Sequence, residues 1–432
     1  MTALSPIRSR VLVLALAGLA LSGCAAIDAV NTVTGRDPIL PGERQALVPD
    51  ADIRTQEAVG GVSIGGARAN AEWAQPGGNA QNDPGHVAYS GGGWRTTIPA
   101  AGRRSARPFA TPVVAGGLVY VYGNDASVSA HSLSGGGRAW SVNLRPEGER
   151  ASPGGGVAAS GGRVYVATGY RELHALDGSS GATVWTREFD APLRGAPTVV
   201  NGRIYVVDAN NTVHAASTGD GAEIWTFEAI PEQDGILSGT SAAVSGNTVI
   251  VPSITGQIIA LGAADGAPKW ADNLVRGNRN IAGSSVTDVA GRPVIEDGIV
   301  YAIGTGGRMV ATRVSNGSRV WSQNIGGQHQ PILSGNTVFV VDTQNRAVAL
   351  DKATGEVRWF TQLPPRKQNW AGPVLAGNRL WVGSTTGDVL ALDPATGQTV
   401  ANQDLRDAIY MSPIAAGGRL IFVGGRGTLA AL

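Results

Sequence analysis

Cysteine is almost absent, with Cys24 the only one in 432 residues. A lone thiol excludes an intrachain disulfide framework and any multi-cysteine metal site. Charge is also scarce: 34 Lys and Arg face 33 Asp and Glu, 16% of the chain, for a net charge of +1. That balance provides no basic footprint for a phosphate backbone, so nucleic acid is not the partner. Beyond the N-terminus there is no apolar run long enough to cross a membrane as a helix. Histidine occurs five times, at His86, His131, His174, His214 and His329, with no pair at metal-ligand spacing, so no metal site is expected. The GGG runs are not followed by a helical pattern, which makes them turns and not phosphate loops. Asp177, Asp265, Asp351 and Asp393 sit in or beside D-x-x-x-G turns, where a carboxylate bonds its own backbone. No catalytic residue is assigned.

What the chain has in abundance is repetition. Residues 331–359, PILSGNTVFVVDTQNRAVALDKATGEVRW, read as three short strands, a T-G turn and the entry to a fourth. With Phe339 as anchor, equivalents fall at Tyr120, Tyr165, Tyr205, Ile250, Tyr301, Trp381 and Ile421. Ten residues after each anchor stands an alanine, from Ala130 to Ala431; sixteen after the first seven stands a glycine, from Gly136 to Gly397. Twenty after six of them comes a tryptophan, at Trp140, Trp185, Trp225, Trp270, Trp321 and Trp359, with Ala401 in the seventh place. A period near 40 residues with four strands per unit specifies a β-propeller. The glycine supplies a turn and bare backbone for a neighbouring ring, and the alanine leaves room for the same indole.

The eighth copy stops at Leu432 after its third strand, whereas Trp94 stands upstream in the context of a fourth strand. The expected fold is therefore an all-β, eight-bladed propeller closed by an N-terminal strand, residues 94–98, that completes the last blade. Residues 91–432 form the propeller, and 24–90, rich in Pro, Gly and Ala, are expected as a flexible tether and lead-in.

The first 23 residues read as a signal peptide: Arg8 and Arg10 precede the apolar run VLVLALAGLAL at 11–21. It ends in Leu21-Ser22-Gly23-Cys24, which resembles the bacterial lipobox, and the resemblance implies that Cys24 is lipidated and becomes the first mature residue. Residue 25 is alanine and not the aspartate associated with inner-membrane retention, which implies a lipid anchor in the outer membrane, on its periplasmic face.

Ala349-x-Asp351-x-x-Thr354-Gly355-x-x-x-Trp359 resembles the tryptophan-docking motif of pyrroloquinoline quinone (PQQ) dehydrogenases, eight-bladed propellers that use a vicinal disulfide and calcium held over the channel. This chain is much shorter and has one cysteine. Lipobox, low-charge tether, eight PQQ-like blades and an end on a third strand together resemble the BamB family, lipoproteins of the outer-membrane β-barrel assembly (BAM) machinery. That resemblance implies no enzymatic activity, no cofactor, and a monomeric propeller within a complex of BAM subunits that binds periplasmic domains of BamA. The family's contact motifs, Leu-Arg-Gly and Asp-Val-Asp, fall by blade count on Leu237-Ser238-Gly239 and Asp288-Val289-Ala290. A literal Leu193-Arg194-Gly195 lies one blade earlier and is a second candidate. The alternatives left open are a PQQ-dependent dehydrogenase-like enzyme and a periplasmic ligand-sensing propeller.

Spacing adds an argument from the residues themselves. The distance from tryptophan position to next anchor is 18 to 22 residues after Trp185, Trp321, Trp359 and Ala401, but 25 after Trp140 and Trp225, 26 after Trp94 and 31 after Trp270. In four-stranded antiparallel blades all these links lie on one face of the ring, so the insertions mark that face as a binding surface.

Overall fold

The computed structural model describes residues 61–98, 110–123, 125–150, 152, 154–229, 241–275, 289, 291–364 and 368–432, and every regular element among them is a β-strand. Thirty-two strands form eight four-stranded antiparallel sheets. Blade 1 shows the plan: Val113–Ala115 nearest the axis, then Leu118–Tyr122, Ser127–Ser132 and Arg138–Asn143 at the rim. Its three inner strands are almost wholly buried, as their apolar runs require, while the rim strand exposes most of its residues. Blades 2 to 7 repeat it with consecutive strands, over 155–188, 198–228, 243–273, 294–323, 332–362 and 370–404.

Blade 8 is closed as the sequence predicts. Trp94–Thr97 pairs antiparallel with Thr428–Ala431, with Trp94 opposite Ala431 and Thr97 opposite Thr428. Ile98 continues the ladder by donating to the Gly427 carbonyl at 2.8 Å. The first and last strands among the described residues thus share one sheet, and no blade is left with a missing strand.

Neighbouring blades are riveted by the repeat residues. In blade 1, Trp140 lies across the strand pair from Ala130, its indole packs on Gly181 of blade 2, and Nε1 donates to the Gly178 carbonyl at 2.9 Å. The same bond recurs from Trp94, Trp185, Trp225, Trp270, Trp321 and Trp359, each to a carbonyl of the next blade. Alanine and glycine therefore serve different indoles, the alanine its own blade's and the glycine the preceding blade's, which refines the expected arrangement. A Cβ at Gly181 would lie 2.6 Å from the Trp140 ring, and its φ is +75°, so both space and backbone demand glycine.

One expectation needs correction. Residues 61–90, placed by sequence in the tether and lead-in, form a strap that crosses one mouth of the ring and bonds to all eight blades. Trp73 pairs with Val114 of blade 1, and the Ala159 amide of blade 2 donates to Ala74. The Gln75 amide bonds both the N–H and C=O of Val199 in blade 3, imitating a strand partner. Val244 and Ile295 of blades 4 and 5 donate to Ala80 and Gln81, and Gln330 of blade 6 donates to Asn82. Val87 pairs with Ala376 of blade 7, and Ser90 donates to Gly418 of blade 8. Proline and glycine here shape a turning backbone that follows the ring; the segment is ordered by hydrogen bonds to inner-strand ends. Trp73, Gln75, Asn82 and Val87 are each at most 5% exposed.

Candidate functional site

The two faces of the ring are unlike. The strap and the tight hairpins occupy one face; the interblade links and the turns between second and third strands occupy the other. Of the residues expected to bind a partner, Leu237, Ser238, Gly239 and Asp288 lie in links outside the described residues, as does Cys24.

The remaining expected contacts, Leu193, Arg194 and Val289, are buried. Leu193 is fully buried, paired with Asp208 of its own blade, and packed among Tyr165, Phe189 and Val206. Arg194 is 4% exposed; its N–H donates to Val207 and its carbonyl accepts from Gly155, which fastens blade 3 to blade 2. Val289 is also fully buried, with its amide on the Ser253 carbonyl at 3.4 Å. Leu193 and Val289 thus offer no side-chain surface to a partner in this structure, and Arg194 offers little.

Two grooves open beside the links. One, about 360 Å³, runs along the junction of blades 3 and 4, lined by Phe227, Ile259 and Trp270, and reaches Ala229, where the link containing Leu237 begins. The other, about 310 Å³, lies between blades 1 and 2 against Tyr170, Phe189, Glu149 and Glu172. The first has a mainly apolar lining and the second a mainly polar one, and clefts of this size suit the side chains of a docking protein.

The axis itself is crossed. Arg292, which leads into the inner strand of blade 5, donates at 2.8 Å to the Thr111 hydroxyl, which leads into blade 1 on the opposite side of the ring. Burial pushes the Arg292 guanidinium down to about 10. His329 is half-buried and pushed down to about 4, first by desolvation and then by the charge of Arg292, so it is neutral. A flat quinone with a bound cation does not fit these residues: Arg292 occupies the axis, and among the described residues no three His, Cys, Asp or Glu side chains cluster to hold a metal. Sequence reading missed both Arg292 and the strap. The cue to the strap was the stretch EWAQPGGNAQN at 72–82, which resembles the lead-in before such propellers.

Fold and surface together define a class: a closed eight-bladed propeller with docked tryptophans, one face strapped and the other carrying long links. The chain belongs to the family described as outer membrane protein assembly factor BamB, whose model matches residues 124–361 and 364–432. It is 32% identical over 253 residues to the outer membrane protein assembly factor BamB of Salmonella typhimurium, covering 57% of this chain and 64% of that one. The match thus spans less than two thirds of the length of that relative. Among solved structures, BamB from Moraxella catarrhalis superposes with a TM-score of 0.67 at 19% identity, over 78% of this chain and 97% of that one. The quinohemoprotein alcohol dehydrogenase from Comamonas testosteroni superposes with a TM-score of 0.65 at 15% identity, over 84% and 81%. At these identities the structural likeness concerns the fold alone.

Proposed function

We propose that this protein is a non-enzymatic scaffold of the outer-membrane β-barrel assembly machinery, held to the periplasmic face of the outer membrane through a lipid on Cys24. Its link face binds the periplasmic domains of BamA, with Leu237 and Asp288 at the centre of the contact. The observation that carries this reading is the asymmetry of the ring: the chain's own strap covers one face, and the insertions, with the groove at Phe227 and Trp270, gather on the other. Membership of the family described as outer membrane protein assembly factor BamB supports the choice of partner. Because Ser238 and Ala290 stand where the family motif has charges, apolar and backbone contacts carry more of this interface, and its salt dependence is weak.

Affinity isolation of the lipidated protein from detergent-solubilised envelopes tests the reading. It should recover BamA and other BAM subunits, identified by mass. Recovery of none of them, or dehydrogenase turnover in the purified protein, would overturn it.

A further inference from the structure

Each rim strand is paired on one side only, so its outer edge is a row of backbone donors and acceptors with no neighbouring strand. What distinguishes one edge from another is the junction beside it. At three junctions the residue two beyond the docking tryptophan bridges to the next blade through a polar bond. Arg187 Nη1 donates to the Gly221 carbonyl at 2.8 Å, and Thr361 Oγ1 donates to the Gly397 carbonyl at 2.8 Å. Asp272 Oδ2 accepts from the Thr312 hydroxyl at 2.7 Å. In blade 3 the same position is Phe227, which can make no such bond.

Blade 4 meets it with another apolar residue. Ile259 stands before the repeat alanine Ala260, where blades 2 and 3 have His174 and His214. Phe227 and Ile259 pack on one buried cluster with Trp225 and Val251, yet both stay partly exposed. They line the groove of about 360 Å³, and Pro268, Trp270 and Ala271 of the blade 4 rim strand add to its apolar lining. The junction is thus left open where its counterparts are sealed by polar bonds.

Along this groove runs the rim strand Glu223–Glu228. The Ala229 N–H donates inward to the Asn211 carbonyl at 3.4 Å, and Phe227 stands opposite Val213. Bonded residues alternate in an antiparallel pair, so Phe227 turns its N–H and C=O inward while Thr226 and Glu228 turn theirs out. Among the described residues, none bonds to these outward groups. A bulge at Ile224, between the pairs Ala216–Glu223 and Ala215–Trp225, confines the regular edge to residues 225–228. An edge that short seats one extended segment, but it buries too little to join two rings edge to edge.

We propose that the blade 3 edge and its groove form a strand-addition site for an extended segment of another protein, with apolar residues at alternate positions. The segment pairs with the outward groups of Thr226 and Glu228 and lays an apolar side chain against Phe227 and Ile259. Directly opposed residues of paired strands share a face, so the segment's residue opposite Phe227 falls on the groove side. Main-chain bonds hold the segment and the groove selects its side chain. The inference rests on the reading of the link face as a docking surface, and it names the form of chain that this part of the surface receives.

Fluorescence anisotropy tests the site, with a labelled Val-Thr alternating peptide of about eight residues titrated with the purified full-length protein. Phe227→Lys should weaken binding at least about tenfold with melting unchanged. The same peptide with alternate amides N-methylated, so that they cannot donate, should bind the parent as weakly. Gln403→Lys, at the equivalent exposed position of blade 7, should leave affinity as in the parent. Bound peptide should also protect residues 223–229 from hydrogen exchange. Should Phe227→Lys misfold, the peptide series on the parent decides, together with Phe227→Leu, which should retain binding. No binding by the parent, undiminished affinity of the methylated peptide, or equal losses in Phe227→Lys and Gln403→Lys would overturn the proposal. So would a dimer of the protein that Phe227→Lys dissolves, since the groove would then hold a second copy. The titration contains no BamA, so its failure is distinguishable from failure of the contact at Leu237 and Asp288, which substitutions there report.

Discussion

At Gly178 one carbonyl oxygen takes two donors from the neighbouring blade, the Trp140 indole at 2.9 Å and the Tyr120 hydroxyl at 3.1 Å. Tyr205 and Trp225 share Ala263 in the same way, and Tyr301 and Trp321 share Lys352. The anchor tyrosine, which marks the phase of the repeat in sequence, is thus a second rivet beside the tryptophan. Their weights differ. Trp140→Ala removes a large buried ring and opens a cavity, and should cost about 3–5 kcal/mol in urea unfolding. Tyr120→Phe deletes one hydrogen bond from a carbonyl that keeps its other donor, and should cost only about 0.5–1.5 kcal/mol. A larger loss for the tyrosine would mean that the hydroxyl, and not indole packing, joins the blades. Contacts made once per blade leave an echo in the chain, which is why Trp, Gly and Ala could be read as docking residues before the structure. Leu193 and Val289 have no such echo, and a single apolar residue in a link reads equally well as an exposed anchor or a core residue. Their burial, at zero exposure, became visible only in three dimensions.

Between residue and ring lie two closing elements, of which sequence revealed one. Trp94–Thr97 was legible because the eighth copy lacks a fourth strand and Trp94 supplies one. The strap was not, because its partners are mostly backbone groups spread over eight blades and its path has no period. Amide side chains do much of the stitching: Asn82 Nδ2 reaches the carbonyls of Ala242 and Pro293 at 3.2 and 3.0 Å, bridging blades 4 and 5. Deleting residues 61–90 should therefore lower the melting temperature by several degrees, and deleting 94–98 by at least as much. Deleting 25–50 should leave it unchanged. The strap, read from sequence as tether, would be one in energetic terms too if its deletion matched that of 25–50.

For the whole molecule, the architecture divides labour between faces. The strap seals one mouth, Arg292 crosses the axis within, and the link face is left for partners. If Cys24 carries the anchor, Cys24→Ser should release the protein from the outer membrane with an unchanged circular dichroism spectrum. Continued fractionation with membrane at high salt would locate the attachment elsewhere. The central claim is that the link face, and not the strapped face, binds BamA. It is tested most directly by measuring affinity for purified periplasmic domains of BamA with paired substitutions on each face. Leu237→Asp with Asp288→Arg should weaken binding at least tenfold, about 1.4 kcal/mol, with melting unchanged. Ser134→Asp with Thr396→Arg, in exposed turns of the strapped face, should leave it as in the parent. Loss of binding in the Ser134 and Thr396 pair, with affinity retained in the Leu237 and Asp288 pair, would contradict the account.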